Sequence, residues 1–453
     1  MLIHPMLKWS LSVCVILGCW PIPAASAQPA QSRQNQTLFQ NAMVFDGTSD
    51  RLTGPTDVLI DGNLIREIGD DIDAPKGAVV IDVDGRTLMP GMIDCHWHSV
   101  MAIVPLAKLL QSDIGYMTIV GSQANRDALM RGFTTLRDVG GNVFAIKQAT
   151  DEGLIVGPRL YPSGAYISQT SGHGDLRGPN DVPALGCGHL SYLEAAGMTS
   201  IADGVPEVIK ATRENLRKGA TQIKAMAGGG VTSTYDPLDV TEYTFEEMKA
   251  IVDVAKTWNT YVCVHAFTPN AVRQCIEAGV MSIEHGHLLD EDTLKLMAEK
   301  GVWLSIQPLL DDEDAIPFPE GSGQRKRYLE VTAGTERVIK AARKHGVKVA
   351  WGTDTLFDPG LAAKQGKVAA KMARWYKPHE VLRMVTHDNA QLVKMCGPRD
   401  PYPGELGVIK VGALADLLIV DGNPIEDINL IADADRNFVL IMKDGKVYKN
   451  ELE

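Results

Sequence analysis

The stretch MPGMIDCHWHS, residues 89–99, sets His96 and His98 two positions apart. In a strand, residues i and i+2 point to one side, so both imidazoles would project together toward whatever that face encloses. Paired neutral imidazoles are a common opening of a metal site, although an isolated HxH reads equally well as two ordinary core or surface histidines. Further candidates follow along the chain: Lys224 in QIKAMAGGG, His265 in VCVHAF, His285 in SIEHGH and Asp354 in AWGTDT. Each stands near the carboxyl end of a strand-like run. Lys224, flanked by Ile223 and Ala225, is the odd member, because an unpaired ammonium in a buried strand is costly and alone would signal a salt bridge or a misread strand.

Between residues 91 and 395 strand-like runs alternate with amphipathic helical stretches. The strands are MIDCHWH, FTTLRDVG, RLYPSGAYIS, ATQIKAMA, YVCVHAF, MSIEHGHL, VWLSIQP and VKVAWGTD. Among the helices, TFEEMKAIVDVAKTW opens on a capping box of Thr244 and Glu247, and TERVIKAARKHG stops at Gly346. Eight βα units in about 300 residues predict an α/β chain built as a (β/α)8 TIM barrel, whose active site lies at the carboxyl ends of its strands. A stretch rich in Gly, Pro and His, residues 169–204, reads as a loop inserted over that mouth. Residues 37–90 and 396–453 read as short apolar strands with Asp-Gly turns, the hairpin signal, and are expected to combine into a small flanking β-sandwich domain built from both termini.

The ends and the bulk bound the setting. Residues 1–27 carry a weakly positive start, the apolar run WSLSVCVILGCW and an A-x-A site before Gln28, so they are read as a signal peptide and the protein as exported, periplasmic or secreted. Cys19 in ILGC offers the alternative of a lipid-anchored amino terminus. Residues 28–36 read as a disordered lead-in. The net charge of −12 and the lack of basic clusters argue against nucleic acid, and against a membrane once the leader is removed. The seven cysteines form no CxxC pair and read as scattered thiols with at most one disulfide.

Taken together, HxH after PGMID, a lysine ending the fourth strand, single histidines on the fifth and sixth, an aspartate on the eighth and the closing GALADLLIVDGNP resemble the binuclear branch of the amidohydrolase superfamily over the whole mature chain. The resemblance implies two divalent metal ions. His96, His98 and Asp354 would hold one, His265 and His285 the other, and Lys224, N6-carboxylated, would bridge them. His287 competes with His285 by spacing alone; EHG matches the family at His285. A carbamate turns the awkward amine into an anion between two cations. In that design a metal-bridging hydroxide with its pKa drawn toward ~7 attacks a polarised carbonyl, and Asp354 carries the proton to the leaving nitrogen. Zinc is the default metal for such an imidazole-rich set. Mononuclear deaminases carry H-x-x-E where this chain has His265, Ala266, Phe267 and Thr268.

Within the superfamily, TTLRDVGG, SQTSGHGD and AGGGVTSTYDP resemble the branch of imidazolonepropionase-like proteins, Xaa-Pro dipeptidases, carboxypeptidases for N-acyl amino acids and ochratoxin-hydrolysing amidases. That implies hydrolysis of the amide to a carboxyl-terminal amino acid in a small peptide or N-acyl substrate. His173 is a candidate donor to the scissile carbonyl or the substrate carboxylate, and Tyr235 a candidate for the same contacts. Arg137 and Asp138 are expected to form a structural pair. The rivals are a cyclic-amide hydrolase of the imidazolone type and a non-catalytic exported metal-binding protein. Relatives imply a homo-oligomer.

Overall fold

In a computed structural model, which describes residues 36–182, 189–233 and 235–452, the chain forms strands β1 (Gln36–Val44), β2 (Thr53–Asp61), β3 (Leu64–Gly69), β4 (Val79–Asp82) and β5 (Thr87–Pro90) before its first helix. These join β16 (Leu417–Val420), β17 (Phe438–Lys443) and β18 (Lys446–Asn450) from the far end in one eight-stranded sheet, through the antiparallel pairing of β5 with β16. The β17–β18 turn has Asp444 and Gly445 at φ 56° and 70°, the paired positive values that a tight hairpin requires and that glycine supplies without strain. Asp84-Gly85, expected to close a hairpin, instead links β4 to β5, which both run parallel to β1. The strand β1 starts at Gln36, inside the stretch read as a lead-in. The rest of that lead-in and the leader lie outside the described residues, as does Cys187. Among the described residues, Cys95, Cys263, Cys275 and Cys396 are free and buried.

The middle of the chain is α/β. Strands β6 (Met92–Trp97), β7 (Phe133–Asp138) and β8 (Arg159–Pro162) form one parallel sheet. Strands β9 (Tyr166–Ser168), β10 (Thr199–Ile201), β11 (Ile223–Met226), β12 (Val262–Ala266), β13 (Ser282–His285), β14 (Trp303–Ile306) and β15 (Lys348–Trp351) form a second, in the order β10-β9-β11-β12-β13-β14-β15. Most of these strands are buried from end to end, as parallel strands covered by helices should be. RLYPSGAYIS, read as one strand, breaks at Ser163 into β8 and β9, and the segment read as an inserted loop contributes β10.

The capping signals act as expected: Thr244 and Glu247 cap the helix Phe245–Thr257 reciprocally, and Gly346, in left-handed conformation, ends the helix Gly323–His345. The outer strands β6 and β15 meet through backbone and side chain. Asp354 N–H donates to His96 O at 2.8 Å, and Asn389 bonds Ile93 O, Trp351 O and Trp351 N at 2.7, 2.9 and 3.0 Å. Residues 35–453 belong to one compact unit.

Candidate active site

The carboxyl ends of β6, β12 and β13 deliver His96, His265 and His285, while His98 and Asp354 lie just beyond β6 and β15. His96 Nε2 and His98 Nε2 stand 3.2 and 3.4 Å from the same Asp354 oxygen, and His285 Nδ1 lies 3.8 Å from the other. One ligand atom from each of His96, His98 and Asp354 falls within 4.8 Å of the others, the spacing of a metal site. The rings of His265 and His285 are 4.5 Å apart, and those of His96 and His285 4.9 Å. Lys224 lines the same cavity. His285 and Asp354 have φ of 77° and 52°, a left-handed backbone that residues other than glycine adopt at a cost and that concentrates at functional sites.

Each of the four imidazoles has one nitrogen committed to an orienting partner. His96 Nδ1 lies 2.8 Å from Glu284, His98 Nδ1 3.1 Å from Gly140 O, His285 Nδ1 2.8 Å from Gln307 Oε1 and His265 Nε2 3.3 Å from Gly229 O. That leaves one nitrogen per ring for a ligand, the arrangement by which proteins fix metal-binding histidines. The donor set therefore fits divalent metal ions. His287 Nε2 is taken by Gln307 O at 2.9 Å, and His287 is absent from the cavity lining, which favours His285 of the two.

The electrostatics follow from burial and pairing. Desolvation holds His265 and His285 well below the ordinary histidine pKa, helped by neighbouring imidazoles and Lys224. For His96 burial works in the same direction, but the Asp354 and Glu284 carboxylates together outweigh it and raise the pKa. Burial would raise Asp354; the histidines around it hold it well below the usual carboxylate range. Lys224, about 1% exposed, is shifted down by desolvation, so burial favours its neutral amine.

His173 also reaches the cavity. Its ring stacks on His265 at 3.9 Å, and its Nδ1 lies 2.9 Å from both Ser233 Oγ and Asp236 Oδ2. Tyr235, expected beside it, is 45% exposed and does not line the cavity; in this loop it is the neighbouring Ser233 and Asp236 that turn inward. The expected pair of Arg137 with Asp138 is also absent. Arg137 instead bonds both oxygens of Glu284 at 2.8 and 2.7 Å, burying a charge pair beneath His96, and Asp138 accepts from Ser99 N and Oγ, both at 2.7 Å.

Asp94, Glu284, Gln307 and Asp236 are supporting residues that sequence reasoning did not single out. Asp94 had a signal, since it shares the i, i+2 alternation of His96 and His98; it accepts from His96 N and from both donors of Thr353. Asp236, in a loop without periodicity, had none.

The cavity measures about 370 Å³. Asp314, Asp358, Lys364 and Lys371 also line it, and the rest of its walls are largely apolar, with Phe267, Leu309, Ile316, Phe318, Tyr328 and Leu356 prominent. Such a space takes a small molecule by its apolar part while a few polar groups orient the rest.

Comparison with known proteins agrees with this geometry. An ochratoxinase of Aspergillus niger is 30% identical over 97% of this chain and 91% of its own length. A crystal structure of a prolidase complexed with N-methylphosphonate-L-proline superposes with a TM-score of 0.83 at 36% identity, covering 92% of this chain and 100% of that one. A Xaa-Pro dipeptidase with methionine bound in its active site gives a TM-score of 0.78 at 29% identity, covering 92% and 100%. The sequence model of the amidohydrolase family matches residues 87–449, a span that holds every residue of the cluster, and the chain belongs to that family.

Proposed function

We propose that the protein is an exported, metal-dependent hydrolase acting on the amide bond to a carboxyl-terminal amino acid, in dipeptides or in N-acyl and N-aroyl amino acids, at the mouth of a closed (β/α)8 barrel. The observation that carries the reading is the gathering of His96, His98, Asp354, His265, His285 and Lys224 on one largely apolar cavity. In this reading His96, His98 and Asp354 would hold one divalent ion and His265 and His285 a second, and Lys224, carboxylated, would serve both. Bound there, such a pair, zinc by default, would supply a water of lowered pKa and polarisation of a carbonyl oxygen. The neutral amine that burial favours at Lys224 is the form that adds to CO2.

Asp354 accepts the proton of the attacking water and delivers it to the departing amine nitrogen. His173, with Nδ1 engaged by Asp236, offers Nε2 to the scissile carbonyl oxygen or to the substrate carboxylate. The apolar lining takes the acyl group and excludes water. Residues 1–27, with their leader-like pattern, support export.

The test is release of free amino acid from a panel of dipeptides and N-acyl amino acids by zinc-loaded protein, with Lys224→Ala and Asp354→Asn beside it. Wild-type release with near-complete loss of kcat in both variants is expected. Wild-type rates in Asp354→Asn would remove the proton carrier from the scheme, and no release from any linear amide would overturn the reading in favour of a ring amide or a metal-binding role.

A further inference from the structure

Around His173 the loop after β11 builds a holder that the metal cluster itself does not need. Asp236 is buried, and its Oδ2 accepts from Gly230 N at 2.7 Å and faces His173 Nδ1 at 2.9 Å. An oxygen that already accepts a backbone N–H is an acceptor toward the ring as well, so Nδ1 carries the hydrogen. Ser233 Oγ stands at 2.9 Å from the same nitrogen. The other edge of the holder is steric. A Cβ placed on Gly230 would lie 1.9 to 2.8 Å from the ring atoms of His173, so only glycine lets the imidazole lie flat against this backbone. The ring is stacked on His265 at 3.9 Å, and His173 N–H donates to Glu242 at 2.7 Å. Ring plane, rotation and tautomer are thus all specified, and Nε2 is the nitrogen left for a ligand.

We infer that Asp236 is a positioning residue of this site, holding His173 in one tautomer and one orientation so that Nε2 addresses the substrate, and that Gly230 is required because the ring packs on its bare backbone. The inference rests on the proposed amide hydrolysis only for its kinetic consequence. A carboxylate behind a functional imidazole is retained because a ring free to rotate or to change tautomer is misaimed part of the time; loss of such a partner typically costs 10- to 100-fold. A purely structural Asp236 would tie the loop together through Gly230 N with no influence on which nitrogen of His173 is protonated.

The experiment uses the full zinc-loaded chain and has two independent readouts. The first is the ring 15N spectrum of His173, assigned by its disappearance in His173→Asn. A single Nδ1-protonated pattern is expected in the wild type, and a mixture of tautomers in Asp236→Ala, which leaves no acceptor at this position, with bound zinc unchanged. The same single pattern in Asp236→Ala overturns the inference, and this readout stands even if no linear amide proves to be a substrate. The second is a double-mutant cycle on an N-acyl amino acid. Asp236→Ala is expected to lower kcat by roughly 10- to 100-fold with KM changed by less than about threefold, and to cost nothing further in a His173→Asn background. Losses that multiply across the two sites would show Asp236 acting independently of His173 and would overturn the inference. Gly230→Ala, which leaves every hydrogen-bonding side chain in place, is expected to reproduce the Asp236→Ala loss; wild-type kcat in that variant counts against the steric half.

Discussion

At the scale of single residues, the site is ordered by buried acids that never reach the cavity. Glu284 sits between Arg137 and His96, and although burial would raise its pKa, the guanidinium, His96 and Lys224 together outweigh that and hold it well below the usual range. Glu242 is the contrasting case. Its carboxyl is buried with no cation beside it, and desolvation pushes its pKa up to about 9. Because the folded value lies above that of the unfolded chain, the folded state holds the extra proton. The associated stability is fully present below about pH 4.5 and is lost as pH rises toward about 9. Glu242→Gln keeps an oxygen for His173 N and removes the titration. Its melting temperature is expected to match that of the wild type near pH 4 and to exceed it at pH 8. Parallel melting curves of the two proteins across that range would show that Glu242 is ionised in the fold.

At the scale of elements, the segment after β14 is a wall of the cavity held by polar ties. Tyr328 Oη donates to Leu310 O at 2.9 Å, Thr335 Oγ1 to Leu309 O at 2.7 Å, and Lys364, Lys367 and Lys371 each approach Asp314 to 2.9 Å. These bonds pair the polar groups of the wall, Asp314, Lys364 and Lys371 of the lining among them, while Ile316 and Phe318 give it an apolar surface on which Phe318 meets the Tyr328 ring edge-on at 5.7 Å. An N-aroyl substrate that buries its ring here loses that contact in Phe318→Ala. The kcat/KM for N-benzoyl substrates is expected to fall by about 1–2 kcal/mol, roughly 5- to 30-fold, with N-acetyl substrates little changed. An equal fall for both would place Phe318 outside the acyl subsite and make its role one of general folding.

At the scale of the whole molecule, the site depends on bringing together residues about 260 positions apart, since Thr353 bonds Asp94 directly. Asn389 is the clasp: one buried amide bonds β6 through Ile93 and β15 through Trp351. Asn389→Ala leaves Trp351 N and two carbonyls without these partners and is expected to cost about 2–4 kcal/mol, read as a lower denaturation midpoint. A midpoint equal to that of the wild type would mean that the Asp94 and Asp354 contacts suffice to join the strands.

What was legible in the sequence follows from what local pattern can carry. Apolar runs with β-branched residues, capping boxes and terminal glycines are governed by interactions a few residues long, so the strands, the helix Phe245–Thr257 and the stop at Gly346 could be read from the chain alone. The histidines, lysine and aspartate that meet on the cavity could be picked out because such residues at the ends of apolar strands are costly unless used. Only the tertiary structure decided who supports whom. Arg137 chose Glu284 over its neighbour Asp138, Asp236 rather than Tyr235 turned toward His173, and RLYPSGAYIS broke in two. Hydrogen-bond partners between segments far apart in sequence depend on register and packing in three dimensions, which no spacing along the chain encodes.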